Sequence, residues 1–159
     1  MHTLIKLGGS VITNKRVENS FNVDVMRQLA HEIAQAQHIK PTSLIIGHGS
    51  GSFGHFAAHR YGTMDGVSTA EGWRGYAEVG RVASELNRLV MDELVAVGLP
   101  ILKVQPSASA MCHDGELVQM ALHPLITGLE HGLVPLVYGD VSLDDVRGGT
   151  IISTEMIMT

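Results

Sequence analysis

The sequence contains a single cysteine, Cys112, so no disulfide can close within the chain, and a reducing, cytoplasmic setting is expected. It has no run of lysine or arginine, and its net charge is −5 with the histidines neutral, which argues against a nucleic-acid partner. No apolar stretch approaches the roughly 18–20 residues of a membrane span. Met1-His2-Thr3-Leu4-Ile5-Lys6 lacks the charged-then-apolar order of a secretory signal. Internal repeats and low-complexity linkers are missing too, so the 159 residues read as one domain. Glycine, by contrast, is plentiful at 18 residues, and much of it follows short apolar runs.

Those runs set the expected element order. Leu4–Leu7 reads as a buried first strand ending in the turn Gly8-Gly9-Ser10. Val11 to Asn22 is mixed and polar, a hairpin or flap. Asp24 to Gln37 carries Val25, Leu29, Ile33 and Ala36 at helical spacing. Ser43 to Gly47 holds a second buried strand, and Phe53 to Tyr61 opens a short helix. Ser68 or Thr69 caps a long helix to about Val97, with Val79, Val82, Leu86, Leu89, Val90 and Leu94 on its apolar face. A third strand is expected at Ile101–Val104 and a loop or hairpin around His113-Asp114-Gly115. A helix over Leu117–His131, a fourth strand at Leu133–Tyr138 and a helix capped by Ser153 or Thr154 follow. Strands alternating with helices predict an α/β fold, a three-layer αβα sandwich around a mostly parallel sheet.

Gly49-Ser50-Gly51-Ser52-Phe53-Gly54 matches G-x-G-x-x-G, yet a dinucleotide fingerprint needs the first strand–helix unit and an acid at the end of the next strand. These glycines follow the second strand, and Asp65 and Glu71 have no strand before them, so a nicotinamide-dependent oxidoreductase is disfavoured. The alternative is a set of glycine turns behind several strands: Gly8-Gly9-Ser10, Gly47 to Gly54, and Gly139-Asp140. Glycines there let backbone N–H groups approach phosphate oxygens closely. Lys6 precedes the first turn and Lys15 follows it, and phosphoryl transfer needs such positive charge and donors. G-x-x-x-x-G-K-[ST] is absent, which excludes a P-loop enzyme. His55 and His59 stand at i, i+4, but no third ligand completes a metal site, so none is expected. His113, His123 and His131 are expected at the surface, and Asp144 and Asp145 read as solvated loop acids.

The stretches IKLGGSVITNK, GHGSGSFGH, QPSA and VYGDV, taken together and in this order, resemble the amino acid kinase superfamily, and within it the isopentenyl phosphate kinases. The resemblance implies transfer of the γ-phosphoryl group of Mg2+-ATP to a small acceptor, here isopentenyl phosphate, giving isopentenyl diphosphate. Carried over motif by motif, Lys6 contacts the ATP phosphates and steadies the transferred group. Gly8, Gly9, Ser10 and Gly51 supply donors to the ATP phosphates, and Lys15 reaches over the transfer site from the flap. Ser50, Gly54, His55 and Gly139 border the acceptor, His55 holding its phosphate; Lys6, Lys15 and His55 are the catalytic candidates. Trp73, Tyr76, Val79 and Val82 line a tail pocket or are simply core. Relatives have Ser-Gly-Asp where this chain has Ser153-Thr154-Glu155, so Glu155 takes the lysine-orienting role with one more methylene, and Thr154 crowds a position held by glycine.

By the same resemblance, residues 1–159 form the N-terminal, acceptor-binding part of the fold, the nucleotide-binding part lies outside the chain, and a homodimer is possible. Two other readings stay open at this point. One is a superfamily kinase for a different phosphate, phosphonate or carboxylate. The other is a non-catalytic module that binds a phosphate ligand.

Overall fold

The computed structural model describes residues 2–159. Strand β1 (His2–Leu7) pairs in parallel with β2 (Ser43–His48), β2 with β6 (Val134–Tyr138), and β6 with β3 (Ile101–Lys103), giving the order β1-β2-β6-β3. Side chains alternate across this sheet. On one face Leu44, Ile46 and Leu136 join helices α2 (Val23–Ile39) and α4 (Ala70–Ala96) in the main core through Met26, Ala30, Ile33, Val82, Leu86 and Val90. On the other face Leu102 meets Gly128 of α5 (His123–Glu130), and Gly47 receives Thr154 and Met158 of α6 (Thr154–Met158). This is the expected three-layer arrangement.

Local chemistry explains where the helices begin. Asn22 caps α2 by accepting from Val25 N–H, Thr69 caps α4 by accepting from Gly72 N–H at 3.0 Å, and Ser153 caps α6 by accepting from Met156 N–H at 3.2 Å. The 27-residue α4 spans about 40 Å at 1.5 Å per residue, and Gly98, at φ +87°, ends it. Helix α3 (Gly51–Tyr61) begins two residues before the predicted start, so the glycine stretch is both the turn after β2 and the first turn of a helix. The predicted flap opens with one helical turn, α1 (Gly9–Ile12), and is then closed by a bridge between Thr13 and Phe21.

Four expectations are corrected. Strand β1 is an outer strand of its sheet, with Leu4 52% exposed, rather than a buried one. The predicted helix over 117–131 divides into strand β5 (Glu116–Gln119) and α5, because residues 116–119 pair with β4 (Met111–His113) across the Asp114-Gly115 turn and Pro124 sits in the first turn of α5. A second, mixed sheet of order β5-β4-β7-β8 was not expected; β7 (Asp140–Asp144) and β8 (Gly148–Ile152) form its hairpin. Asp144 is buried rather than solvated: its carboxylate accepts the N–H groups of Gly115, Val146 and Arg147 at 2.7–2.9 Å and so ties both hairpin turns together. His113, His123, His131 and Asp145 are exposed, as read.

Candidate functional site

The C-terminal ends of β1, β2 and β6 meet at one place, where parallel strands open toward ligands. Two cavities share this end. A groove of about 440 Å³ is lined by Lys6, Gly8, Gly9, Ser10, Lys15 and Gly51, together with Gly49, Ser50, Ser52 and His55. A narrower cavity of about 260 Å³ holds Lys6, Ser50, Gly54, His55, Gly139 and Glu155 at its polar end. Every residue assigned to the ATP phosphates, the acceptor phosphate or the lysine-orienting role therefore lines one cavity or both. Lys6, Gly49, Ser50 and His55 border both, which marks them as the junction.

The two glycine turns touch at this junction. A Cβ on Gly9 would lie 2.6 Å from the Gly51 nitrogen and 2.8 Å from its Cα, so the first turn seats against the second only without a side chain. Gly51 itself, at the start of α3, has φ +50°, a left-handed conformation that glycine adopts readily. Thr13 reinforces the joint: its hydroxyl donates to the Gly9 carbonyl at 2.6 Å and accepts from Ser52 N–H at 2.9 Å. Lys15 stands on the flap beyond it, exposed, over the groove.

Lys6 is exposed and forms an ion pair with Glu155. The hydrogen bond from Lys6 holds the Glu155 carboxyl below the ordinary carboxylate range. The longer glutamate thus reaches Lys6 from the first turn of α6. Thr154 lines the smaller cavity as well, and its buried hydroxyl donates to the His48 carbonyl at 2.6 Å, fastening α6 to β2. Asp140 is 1% exposed and spends its oxygens on backbone, accepting from Ser107 N–H at 3.1 Å and Val141 N–H at 2.9 Å. Burial pushes its pKa up, against these hydrogen bonds. The QPSA and YGDV stretches are joined through this contact.

The smaller cavity also has an apolar wall, made by Ala58, Met64, Val79, Ala83, Ile151 and Ile152. Val79 lines it as one reading had it while also belonging to the core with Val82, and Trp73 and Tyr76 are not among its lining residues. Their rings meet edge-on at 5.4 Å, and Tyr76 packs on Gly149 at the start of β8. Residues 79 and 83 share the helix face one turn apart, whereas 73 and 76 lie on the turns before it.

The sequence reading passed over His48, the last residue of β2. It is fully buried, and burial lowers its pKa to about 4, against a smaller upward effect of its hydrogen bond to the Gly49 carbonyl. Because this folded-state value lies below the ordinary 6.5, the unfolded chain takes up a proton first as the solution is acidified. The stabilisation is complete above about pH 6.5 and drains away toward pH 4; by pH 5 the loss amounts to on the order of 2 kcal/mol. Urea unfolding of the parent and of His48→Gln at pH 7 and pH 5 checks this: the parent loses that much more than the variant. Parallel losses in the two proteins would remove His48 from the acid limb.

Among the described residues no group of three or more His, Cys, Asp or Glu side chains is suited to a metal ion, and no helix is long and apolar enough to cross a membrane.

Fold and site together define an α/β protein with cations and glycine turns gathered at the ends of a parallel sheet. The chain belongs to the amino acid kinase family, whose model matches residues 1–159. It is 40% identical to the isopentenyl phosphate kinase of Methanothermobacter thermautotrophicus over 149 residues, 91% of this chain and 55% of that protein. It is 32% identical to that of Methanocaldococcus jannaschii, over 99% of this chain and 63% of the relative. Among solved structures, one described as X-ray structures of isopentenyl phosphate kinase superposes with a TM-score of 0.90 at 38% identity, covering 99% of this chain and 66% of the other. A product complex of the Thermoplasma acidophilum enzyme gives 0.84 at 31% identity, over 99% of this chain and 63% of the other. The chain spans 55–63% of the length of these curated relatives.

Proposed function

We propose that this chain is the acceptor-binding part of a kinase that phosphorylates isopentenyl phosphate to isopentenyl diphosphate with Mg2+-ATP. The observation that carries the reading is the joining of two unlike surfaces in one small cavity: polar groups from Lys6, His55 and the Gly49–Gly54 turn, and an apolar wall that includes Ala58, Val79, Ala83, Ile151 and Ile152. A volume of about 260 Å³ is below the roughly 300–1,000 Å³ typical of sites for drug-sized ligands and suits a short hydrocarbon tail bearing one phosphate. A purely polar acceptor, such as an amino-acid carboxylate, would leave that apolar wall unused. The curated relatives named above are isopentenyl phosphate kinases, which supports the same acceptor.

In this reading the acceptor phosphate sits among those polar groups, held by His55 and bordered by Ser50, Gly54 and Gly139. The ATP phosphates lie in the larger groove, against the N–H groups of Gly8, Gly9, Ser10 and Gly51 and beneath Lys15. An acceptor oxygen attacks the γ-phosphorus in line, the bond to the β,γ-bridging oxygen breaks, and ADP leaves with those electrons. Two anions must approach each other, so cations near the junction offset the repulsion. Lys6 is placed for this, and Glu155 orients it. Mg2+ would be held chiefly by phosphate oxygens, as is usual for that ion, because no carboxylate cage is present among the described residues. A cytoplasmic setting fits the single, buried, free cysteine, and a homodimer is part of the proposal by family likeness.

His55→Ala tests the acceptor role. The acceptor KM is expected to rise about tenfold or more, as the loss of a charge-assisted hydrogen bond predicts, while the KM for ATP stays nearly constant. Equal weakening toward both ligands would take His55 out of the acceptor site.

A further inference from the structure

His48 ends β2 directly before the glycine turn, and its contacts reach several separate segments. Its carbonyl accepts from Thr154 Oγ1 and, at 3.2 Å, from Gly139 N–H. Its ring stacks on Tyr138, with centroids 5.6 Å apart and planes 7° from parallel. Nδ1 lies 3.0 Å from the Gly49 carbonyl oxygen, and Nε2 lies 3.0 Å from the amide nitrogen of Asn87, a fully buried residue of α4. A carbonyl only accepts, so Nδ1 carries the proton and donates to Gly49, leaving Nε2 to accept from Asn87 Nδ2. The ring is a neutral imidazole bound on both sides.

The consequence lies at the other end of the peptide unit. No peptide in the described chain is cis, so the Gly49 carbonyl and the Ser50 N–H point in opposite directions. Holding that carbonyl toward the buried ring turns the Ser50 N–H away from it, at a residue that lines both cavities. The Ser50 N–H has no hydrogen-bond partner among the described residues, whereas the neighbouring Gly49 N–H is spent on the Leu7 carbonyl at 3.1 Å.

We propose that His48 is a positioning residue of the phosphate site: fixed between Asn87 and the Gly49 carbonyl, it aims the Ser50 N–H at the anion bound where the two cavities meet. It touches no substrate and acts through the turn. The inference rests on the proposed function for the identity of that anion alone.

Three variants separate positioning from mere support of the fold. His48→Phe keeps a ring against Tyr138 but deletes both ring hydrogen bonds, leaving the buried Asn87 amide and the half-buried Gly49 carbonyl without those partners, so it loses stability as well as binding. The double variant His48→Phe/Asn87→Leu makes one of those bonds apolar on both sides, which restores much of the stability. His48→Gln replaces the donor and the acceptor together. Isopentenyl phosphate and inorganic phosphate are titrated calorimetrically into each full-length protein, and amide exchange is followed at Gly49 and Ser52.

The double variant is expected to melt closer to the parent than His48→Phe does, yet to bind isopentenyl phosphate about tenfold more weakly, the loss of one oriented donor to a charged group. His48→Gln should recover most of the affinity. A folded double variant that binds within twofold of the parent overturns the assignment. If the parent binds neither probe, the proposed function fails, and His48 is then judged by exchange. Faster exchange at Gly49 and Ser52 in the double variant, with the β2 amides unchanged, supports positioning; unchanged exchange at all of them overturns it.

Discussion

Replacing Lys6 by alanine is expected to lower kcat for the proposed phosphoryl transfer by at least tenfold, and by on the order of 10²–10³ if it acts as a preorganised cation in the transition state. The melting temperature hardly moves. The two effects separate because of where Lys6 lies: it borders both cavities, but its pair with Glu155 is largely open to solvent, the side chains being 38% and 59% exposed. Such pairs contribute about 0–1 kcal/mol to folding, which in a chain of this size shifts Tm by a few degrees at most. Glu155→Gln should show a weaker form of the same pattern, since it frees Lys6 from its anchor without removing its charge. Steady-state kinetics beside a thermal melt measures both quantities. Near-normal turnover in Lys6→Ala would reduce Lys6 to a surface ion pair.

Gly9→Ala is the second large effect, and it comes from crowding. The added methyl would sit 2.6–2.8 Å from the backbone of Gly51, and backbone cannot turn aside as a flexible side chain can. The two glycine turns must separate, at about 1–3 kcal/mol for an overpacked site, or a fall in Tm of about 4–8 °C for a midrange value. Separation also widens the junction lined by Lys6, Gly49, Ser50 and His55, so phosphate affinity falls at least tenfold. Gly8→Ala is the internal control. Gly8 has φ −61°, and a methyl there meets only Val11 Cγ2, at an ordinary 3.5 Å, so the fold tolerates it. Calorimetric melts and phosphate-ligand titration of the pair decide the matter. Indistinguishable variants would mean that the turns do not bear on each other in solution.

The glycine turns were legible in the sequence because their signal is local: three glycine clusters stand behind apolar runs, and the topology of a parallel sheet gathers them at one end. The caps at Thr69 and Ser153 and the end of α4 at Gly98 were legible for the same reason, each resting on a side chain or φ angle within a few residues. Strands β7 and β8 were not, since five-residue strands depend on partners that no local pattern names. Residues 117–131 misled because Leu117 belongs to a hairpin with Cys112 while the periodicity of α5 follows closely behind. Asp144 looked like a loop acid because its three N–H donors come from two separate turns. The pair of His48 and Asn87, 39 residues apart, carries no motif; only the packing of α4 across β2 brings them together.

On the proposed reading, the cavity beside Lys6 and His55 presents isopentenyl phosphate for phosphoryl transfer. ADP release by the purified full-length protein, with Mg2+-ATP and with or without isopentenyl phosphate, tests it most directly. The account predicts ADP formation that depends on the acceptor, saturates with it and is lost in Lys6→Ala. ADP formation no faster with isopentenyl phosphate than without it, in a protein that binds Mg2+-ATP, would contradict the claim.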